Sequence, residues 1–151
     1  MNPEKIESFS VIGISVRTTN ENQQAMKDIG LLWQQFITEA CIEKIPNKID
    51  STVYCIYTDY EKDHTKPYTT ILGCRVSDTA NIPDGMIAKD ISASSYQKII
   101  AKGNIFQGAL AEAWTQIWNS DIKRAYTADF EVYSDKAKNP ENAEVDIFIA
   151  I

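Results

Sequence analysis

VYCIYTD, residues 53–59, and DFEVYSD, residues 129–135, decide how this chain is built. Both are short runs of alternating β-branched, aromatic and polar residues that end on Asp, so each reads as a strand closing on a turn. Aligned with each other, they match Tyr57 to Tyr133 and Cys55 to Glu131. A second match lies upstream of each: LLWQQF at Leu31–Phe36 corresponds to EAWTQIW at Glu112–Trp118, which matches Trp33 to Trp114. Two copies of one pattern within 151 residues point to a duplicated module related by a pseudo-twofold axis.

The remaining elements follow from periodicity and turn chemistry. FSVIGISVRT at Phe9–Thr18 is a strand, and Asn20-Glu21-Asn22 is placed to cap a helix. From Gln24 to Ile42, Ile29, Leu32, Trp33, Phe36, Ile37 and Ala40 recur at steps of three and four, the signature of one helix face, and Pro46-Asn47 ends the segment. Ser51–Tyr57 and Tyr68–Val76 are strands separated by the charged loop DYEKDHTKP. After a turn cluster at Asn81–Gly85, Met86–Ile91 reads as a strand, and the Ser92–Ser95 stretch as a connector. Ile105–Trp118 is a second helix, and Ala128–Tyr133 and Glu144–Ile151 are strands. Each half, about 7–78 and 85–151, therefore reads strand–helix–strand–strand. The expected fold is α+β: one domain over residues 1–151, an antiparallel sheet, and two main helices on the same face.

Composition removes several functions. Fifteen Lys and Arg against 21 Asp and Glu leave a net charge of −6, which supplies no basic face for nucleic acid or for an anionic membrane. No apolar run is long enough for a bilayer, and the opening Met-Asn-Pro-Glu-Lys has no apolar leader. Cys41, Cys55 and Cys74 are odd in number and lack CxxC spacing, so reduced thiols in the cytoplasm are expected. The lone His64 sits in a polar segment, which excludes a zinc site and a Ser-His-Asp triad. GNIFQG at Gly103–Gly108 lacks the Lys-Ser/Thr of a phosphate loop. No metal and no cofactor are expected.

The ordered segments VIGI, LWQQF, YCIYTDYE, ILGCRV, AWTQIW, DFEVY and VDIFIAI, which run from about Glu7 to Ile151, carry a resemblance. Together they resemble the gyrase-inhibitor-like (GyrI-like) effector-binding domains, in particular their stand-alone, integron-associated branch. The resemblance implies a binder of lipophilic cationic small molecules in an aromatic pocket, with a buried Glu as counter-charge. The Glu of the family's FE-x-Y motif is matched by Glu131, and a pocket aromatic of the terminal strand by Phe148. In the family such domains often follow a DNA-binding helix-turn-helix; this sequence shows none, so the expectation is a stand-alone binder without direct nucleic-acid contact.

The residues themselves leave more than one reading. Alternation sends Glu131 and Tyr133 to one face of their strand and Phe130 and Val132 to the other. A Glu exposed on a solvated face or paired with Lys or Arg reads as well from sequence as one buried among aromatics. Trp33 and Trp114 suit a pocket and simple core packing equally, while Trp118 reads as core. Tyr54 and Tyr57 lie on opposite strand faces, and Tyr57, in phase with Tyr133, is the pocket candidate, with Tyr68 as a further one. The ligand-binding set is thus Glu131, Trp33, Tyr57, Tyr68, Trp114 and Phe148. The alternatives are a hydrolase of reactive electrophiles, with Glu131 as base and Tyr57 as donor, and a gyrase-inhibitor-like interaction protein. No protein partner is identified by the sequence.

Overall fold

In the computed structural model, which describes residues 3–151 apart from the Phe106 side chain, the chain runs β1 (Glu4–Ile6), β2 (Phe9–Thr18), α1 (Gln24–Thr38), a short α2 (Cys41–Lys44), β3 (Lys48–Thr58), β4 (Tyr68–Val76), β5 (Ile87–Ile91), β6 (Ser94–Gly103), α3 (Ala109–Trp118), β7 (Ala128–Tyr133) and β8 (Ala143–Ala150). Eight antiparallel strands form one sheet in the order β1-β6-β8-β7-β3-β4-β2-β5. Outward from its centre that order is symmetric: β7-β8-β6 on one side answers β3-β4-β2 on the other.

The two matched strands of the sequence are the central pair. Val53 faces Tyr133 and Tyr57 faces Asp129, while Cys55 faces its own repeat counterpart, Glu131. In an antiparallel pair only a residue on the symmetry axis meets its own counterpart, so the pseudo-twofold axis passes between Cys55 and Glu131.

The symmetry corrects the strand expected to open the second half. The 87–91 strand, β5, only adds an edge to β2, and the true counterpart of β2 is β6. Ser94 and Ser95, read as connector, already belong to β6 and pair with β1. SSYQKIIAKG hides its strand character because Tyr96 is buried on one face, Ala101 on the other, and Ile100 stands half exposed. A strand that buries residues on both faces loses the alternation that marks most strands.

Both helices lie on the sheet face that carries Cys55 and Glu131. α1 buries Leu32 and Phe36 against Ile12, Ile14, Leu72 and Cys74 of β2 and β4. α3 buries Ala113 and Ile117 against Ala101, Val145, Ile147 and Ile149 of β6 and β8. Each large side chain so buried contributes about 1.5–3 kcal/mol. Residues one step further round each helix turn by about 100°, away from this core. Ile37 and Trp118, both expected to pack inside, are consequently 70% and 44% exposed. The same offset swings Trp33 and Trp114 to the inner margin of each helix, beside the β3–β7 seam. The helices flank that seam and do not roof it.

The opposite face closes on itself. The Phe9 ring of β2 and the Phe130 ring of β7 are 5.4 Å apart, although β4 and β3 lie between their strands. Three strand spacings on a flat sheet would separate them by about 14 Å, so the sheet curls into a half-barrel. Tyr96 and Phe148 join the same cluster, at 5.2 and 5.0 Å from Phe130.

The curl requires close backbone contact at Gly13 and Gly73, which face each other across β2 and β4. A Cβ on Gly13 would lie 2.0 Å from the Leu72 carbonyl oxygen, and one on Gly73 2.2 Å from that of Ile12. Gly13→Ala and Gly73→Ala are therefore expected to cost at least about 2–4 kcal/mol in urea denaturation. Gly30→Ala, on the exposed side of α1 with open space around it, is expected to gain about 0.5–1 kcal/mol. A tolerated Gly13→Ala would show that the close approach is not needed.

Candidate functional site

Glu131 is a buried carboxylate on the helical face, at 1% exposure. Its Oε1 accepts from the Tyr133 hydroxyl at 2.5 Å; its Oε2 accepts from the Tyr57 hydroxyl at 2.9 Å and the Trp114 indole N–H at 2.6 Å. All three donors are neutral. Among the described residues no Lys, Arg or His pairs with this carboxylate. Burial raises its pKa, and the hydrogen bonds from Tyr133, Trp114 and Tyr57 oppose that rise without cancelling it. Burial likewise lifts the Tyr57 and Tyr133 phenols far above their usual range, with the Glu131 charge adding to the effect, so both stay protonated donors. The Cys55 thiol beneath is also pushed up, first by burial and then by Glu131.

The surround obeys the pseudo-twofold. Trp114 of the second half meets Tyr57 of the first edge to face, with centroids 5.4 Å apart. Trp33 of the first half meets Tyr133 of the second in the same way at 4.9 Å. Two Trp–Tyr pairs, each crossing the axis, thus stand on either side of the Cys55–Glu131 pair. All four rings are half-buried while the carboxylate they flank is sealed. Only Glu131 breaks the symmetry, because its counterpart is a neutral thiol.

The structure therefore brings together Glu131, Trp33, Tyr57 and Trp114 from the expected set. Tyr68 stands one ring further out, 6.0 Å from Tyr57. Its hydroxyl donates to Asn20 at 2.6 Å, and Asn20 in turn donates to the His64 carbonyl at 2.8 Å. Asn20, read as a helix cap, braces the site instead and makes no cap bond to the chain that follows. Phe148 is not brought to the site. It faces Phe130 across β8 and β7, whereas Glu131 faces Ile147. Alternation therefore puts Phe148 on the opposite sheet face, stacked on Phe130.

Several residues here were not singled out. Tyr133 was legible from its phase with Glu131. Tyr126, in the irregular segment after α3, was not, and neither were Tyr60 and His64, because the loop DYEKDHTKP reads as solvated. In the structure it folds over the site: Tyr60 touches Tyr68 and Tyr126, at 5.6 Å each, and His64 stacks between Trp118 and Tyr126. Burial and the nearby Arg124 lower the His64 pKa. Asp129, fully buried two residues before Glu131, is paired with Arg124 at 2.8 Å. A shallow hollow of about 390 Å³ between β6 and α3, lined among others by Lys102, Gln107 and Glu112, shares no residue with this constellation. Among the described residues no cluster of His, Cys, Asp and Glu suits a metal, and no helix is long and apolar enough to cross a membrane.

Comparison with known proteins agrees with the fold and the motif order. The family model of Cass2, the integron-associated effector binding proteins, matches residues 4–151. The integron cassette protein VCH_CASS2 from the mobile metagenome of Vibrio cholerae is 33% identical, with a TM-score of 0.75 over 99% of this chain and 94% of that one. The regulator-like protein YobU of Bacillus subtilis strain 168 is 27% identical over 143 residues, covering 92% of this chain and 89% of YobU. SAV2435, solved with tetraphenylphosphonium bound, is 17% identical and shares the fold at a TM-score of 0.79 over 99% of this chain and 93% of that one.

The raised pKa of Glu131 has a thermodynamic consequence of definite sign. The folded protein holds this proton more tightly than the unfolded chain. The group's contribution to stability is complete at acid pH and falls as pH climbs from the ordinary glutamate range through the elevated value. Glu131→Gln cannot titrate. Denaturation of both proteins from about pH 4 to about pH 8 is expected to show the variant gaining on the wild type as pH rises. Parallel stability curves would show that the carboxylate is not destabilised by its site.

Proposed function

We propose that this chain, which belongs to the integron-associated effector-binding protein family, binds lipophilic organic cations between α1 and α3, with Glu131 as the counter-charge. The observation that carries this reading is a sealed carboxylate with three neutral donors and, among the described residues, no cationic partner, flanked by half-buried Trp and Tyr rings. An ionised carboxylate in such a site lacks the positive charge that would offset its desolvation. A bound cation supplies it. Ring faces add about 0.5–1 kcal/mol each at an exposed site, and about 2 when desolvated. Four rings and one charge recognise a class of molecule and not one outline, which suits an effector binder of broad taste. Entry of a cation requires Trp114 and the two tyrosines to swing from the carboxylate, exchanging three hydrogen bonds for one ion pair.

The tetraphenylphosphonium bound by SAV2435 is a suitable probe, with neutral triphenylphosphine oxide as control. Quenching of Trp33 and Trp114 fluorescence is expected to report binding of the cation and little of the control. Glu131→Gln is expected to weaken the cation about tenfold or more, and Trp33→Ala and Trp114→Ala about three- to thirtyfold each. Equal affinity for cation and neutral control would remove the counter-charge from the account.

One observation favours a second reading. The Tyr57 hydroxyl bonds directly to a carboxylate with a raised pKa, an arrangement that serves acid–base hydrolysis of an electrophile as readily as binding. Mass spectrometry of the ligand after long incubation separates the two: intact ligand supports the binder, and hydrolysed product that disappears in Glu131→Gln supports the enzyme.

A further inference from the structure

Beside the Glu131 site lies a second assembly whose members come from β3, the loop after it, β4, α3 and the segment before β7. Seven rings form a closed circuit of contacts. Trp114 meets Tyr57 at 5.4 Å, Tyr57 meets Tyr68 at 6.0 Å, and Tyr68 meets Tyr60 at 5.6 Å. Tyr60 meets Tyr126 at 5.6 Å and Tyr126 meets His64 at 6.2 Å; His64 meets Trp118 at 5.9 Å, and Trp118 returns to Trp114 at 6.4 Å. The Arg124 guanidinium lies over two members of the circuit, 4.5 Å from the Tyr126 centroid and 5.9 Å from that of Trp114.

The anchor of that guanidinium is incomplete. The Arg124 side chain is 5% exposed, yet among the described residues only its Nη2 has a hydrogen-bond partner, Asp129 Oδ2 at 2.8 Å. Its Nε and Nη1 are buried without an acceptor. A buried arginine that serves structure alone normally engages a carboxylate with both arms of its fork. Here Asp129 is shared among three donors, since Oδ1 accepts the Ala150 N–H at 2.8 Å and Oδ2 also accepts the Tyr60 hydroxyl at 2.6 Å, and the guanidinium meets it through one nitrogen. Unmet donors on a buried cation are costly. Arg124 also stands on a segment, 121–126, without helix or strand, held by the Ala125 N–H to the Ala150 carbonyl and ending on Tyr126 at φ +55°.

We infer that Asp129 and the rings around Arg124 form a second cation subsite, filled by the chain's own guanidinium until a planar organic cation displaces it. The inference deepens the cation-binding reading and rests on it. Asp129 and Glu131 share one face of β7, about 7 Å apart along the strand, and Trp114 serves both: its N–H reaches Glu131 while its ring underlies Arg124. The chemistry that replaces a guanidinium between a carboxylate and ring faces is an aromatic amidinium or guanidinium. Such a cation is flat, delocalised and weakly hydrated, and it carries its own apolar ring. A ligand with two such groups can engage both carboxylates at once.

Benzamidinium is the probe, with neutral benzamide as control. The chain has three arginines, Arg17, Arg75 and Arg124, so the Nε–H resonances of the wild-type protein in ¹⁵N NMR are few, and loss of one in Arg124→Lys assigns it. Benzamidinium, and not benzamide, is expected to release the Arg124 resonance into fast solvent exchange while those of Arg17 and Arg75 stay. Arg124→Ala is expected to bind benzamidinium about tenfold or more tightly than the wild type, and Asp129→Asn in that background to abolish the gain. An Arg124 resonance unmoved up to the solubility of the probe overturns the subsite, as does equal affinity in wild type and Arg124→Ala. Should Arg124→Ala not fold, the wild-type titration decides alone. An unmoved Arg124 alongside Glu131-dependent tetraphenylphosphonium binding overturns the subsite and leaves the Glu131 reading intact. Displaced Arg124 without tetraphenylphosphonium binding supports the subsite and overturns the Glu131 reading.

Discussion

Glu131 accepts hydrogen bonds from Tyr57, Tyr133 and Trp114, and each donor must be delivered by a different part of the fold. Tyr57 comes from β3, Tyr133 from the same strand as the acceptor, and Trp114 from α3. Hydrogen bonds to a charged group contribute about 1.5–3 kcal/mol each, against several kcal/mol for removing a carboxylate from water. The two sides are close, and the raised pKa records that desolvation keeps the upper hand. The carboxylate is held but not neutralised. Sheet register, helix placement and the inner-margin position of Trp114 all serve that one poised group.

The duplicated architecture explains why the site lies where it does. A pseudo-twofold through the Cys55–Glu131 pair brings equivalent side chains from both halves to one point, which doubles the aromatic surround at no cost in chain length. Trp33 and Tyr133 repeat the contact of Trp114 and Tyr57. Charge cannot be duplicated in this way, since two buried carboxylates in register would repel in a low dielectric. A thiol opposite a carboxylate avoids that conflict. The next inward position of β7 carries Asp129, and its charge is met by Arg124. Two adjacent acidic positions on one face therefore receive opposite treatment: one is paired within the chain and the other is left to neutral donors.

Much of this was legible in the residues. The match of VYCIYTD to DFEVYSD gave Cys55 and Glu131 as counterparts, and the helix match gave Trp33 and Trp114; register and helix phase converted both into contacts across the axis. Phe148 was misplaced because a resemblance carries a position without its strand phase, and one residue along a strand is a change of face. The β6 strand was missed because burial on both faces erases its alternation. Tyr60 and His64 escaped notice for another reason. A charged loop reads as solvated, and nothing in DYEKDHTKP reports that Tyr60 will find a buried Asp129 some seventy positions away.

The sequence by itself determined the α+β class, the repeat and the antiparallel sheet, because these follow from periodicity and from local self-similarity, while Glu131 was singled out by the resemblance. Tertiary structure alone decided that this carboxylate is sealed, that its donors are all neutral, and that Arg124 sits on aromatic faces with most of its fork unpaired. Those outcomes depend on how far the sheet curls and where two helix margins fall. Both are set by packing between residues distant in the chain, such as the facing glycines Gly13 and Gly73. Periodicity tells a residue which way to point; only the assembled sheet and helices determine what it meets there.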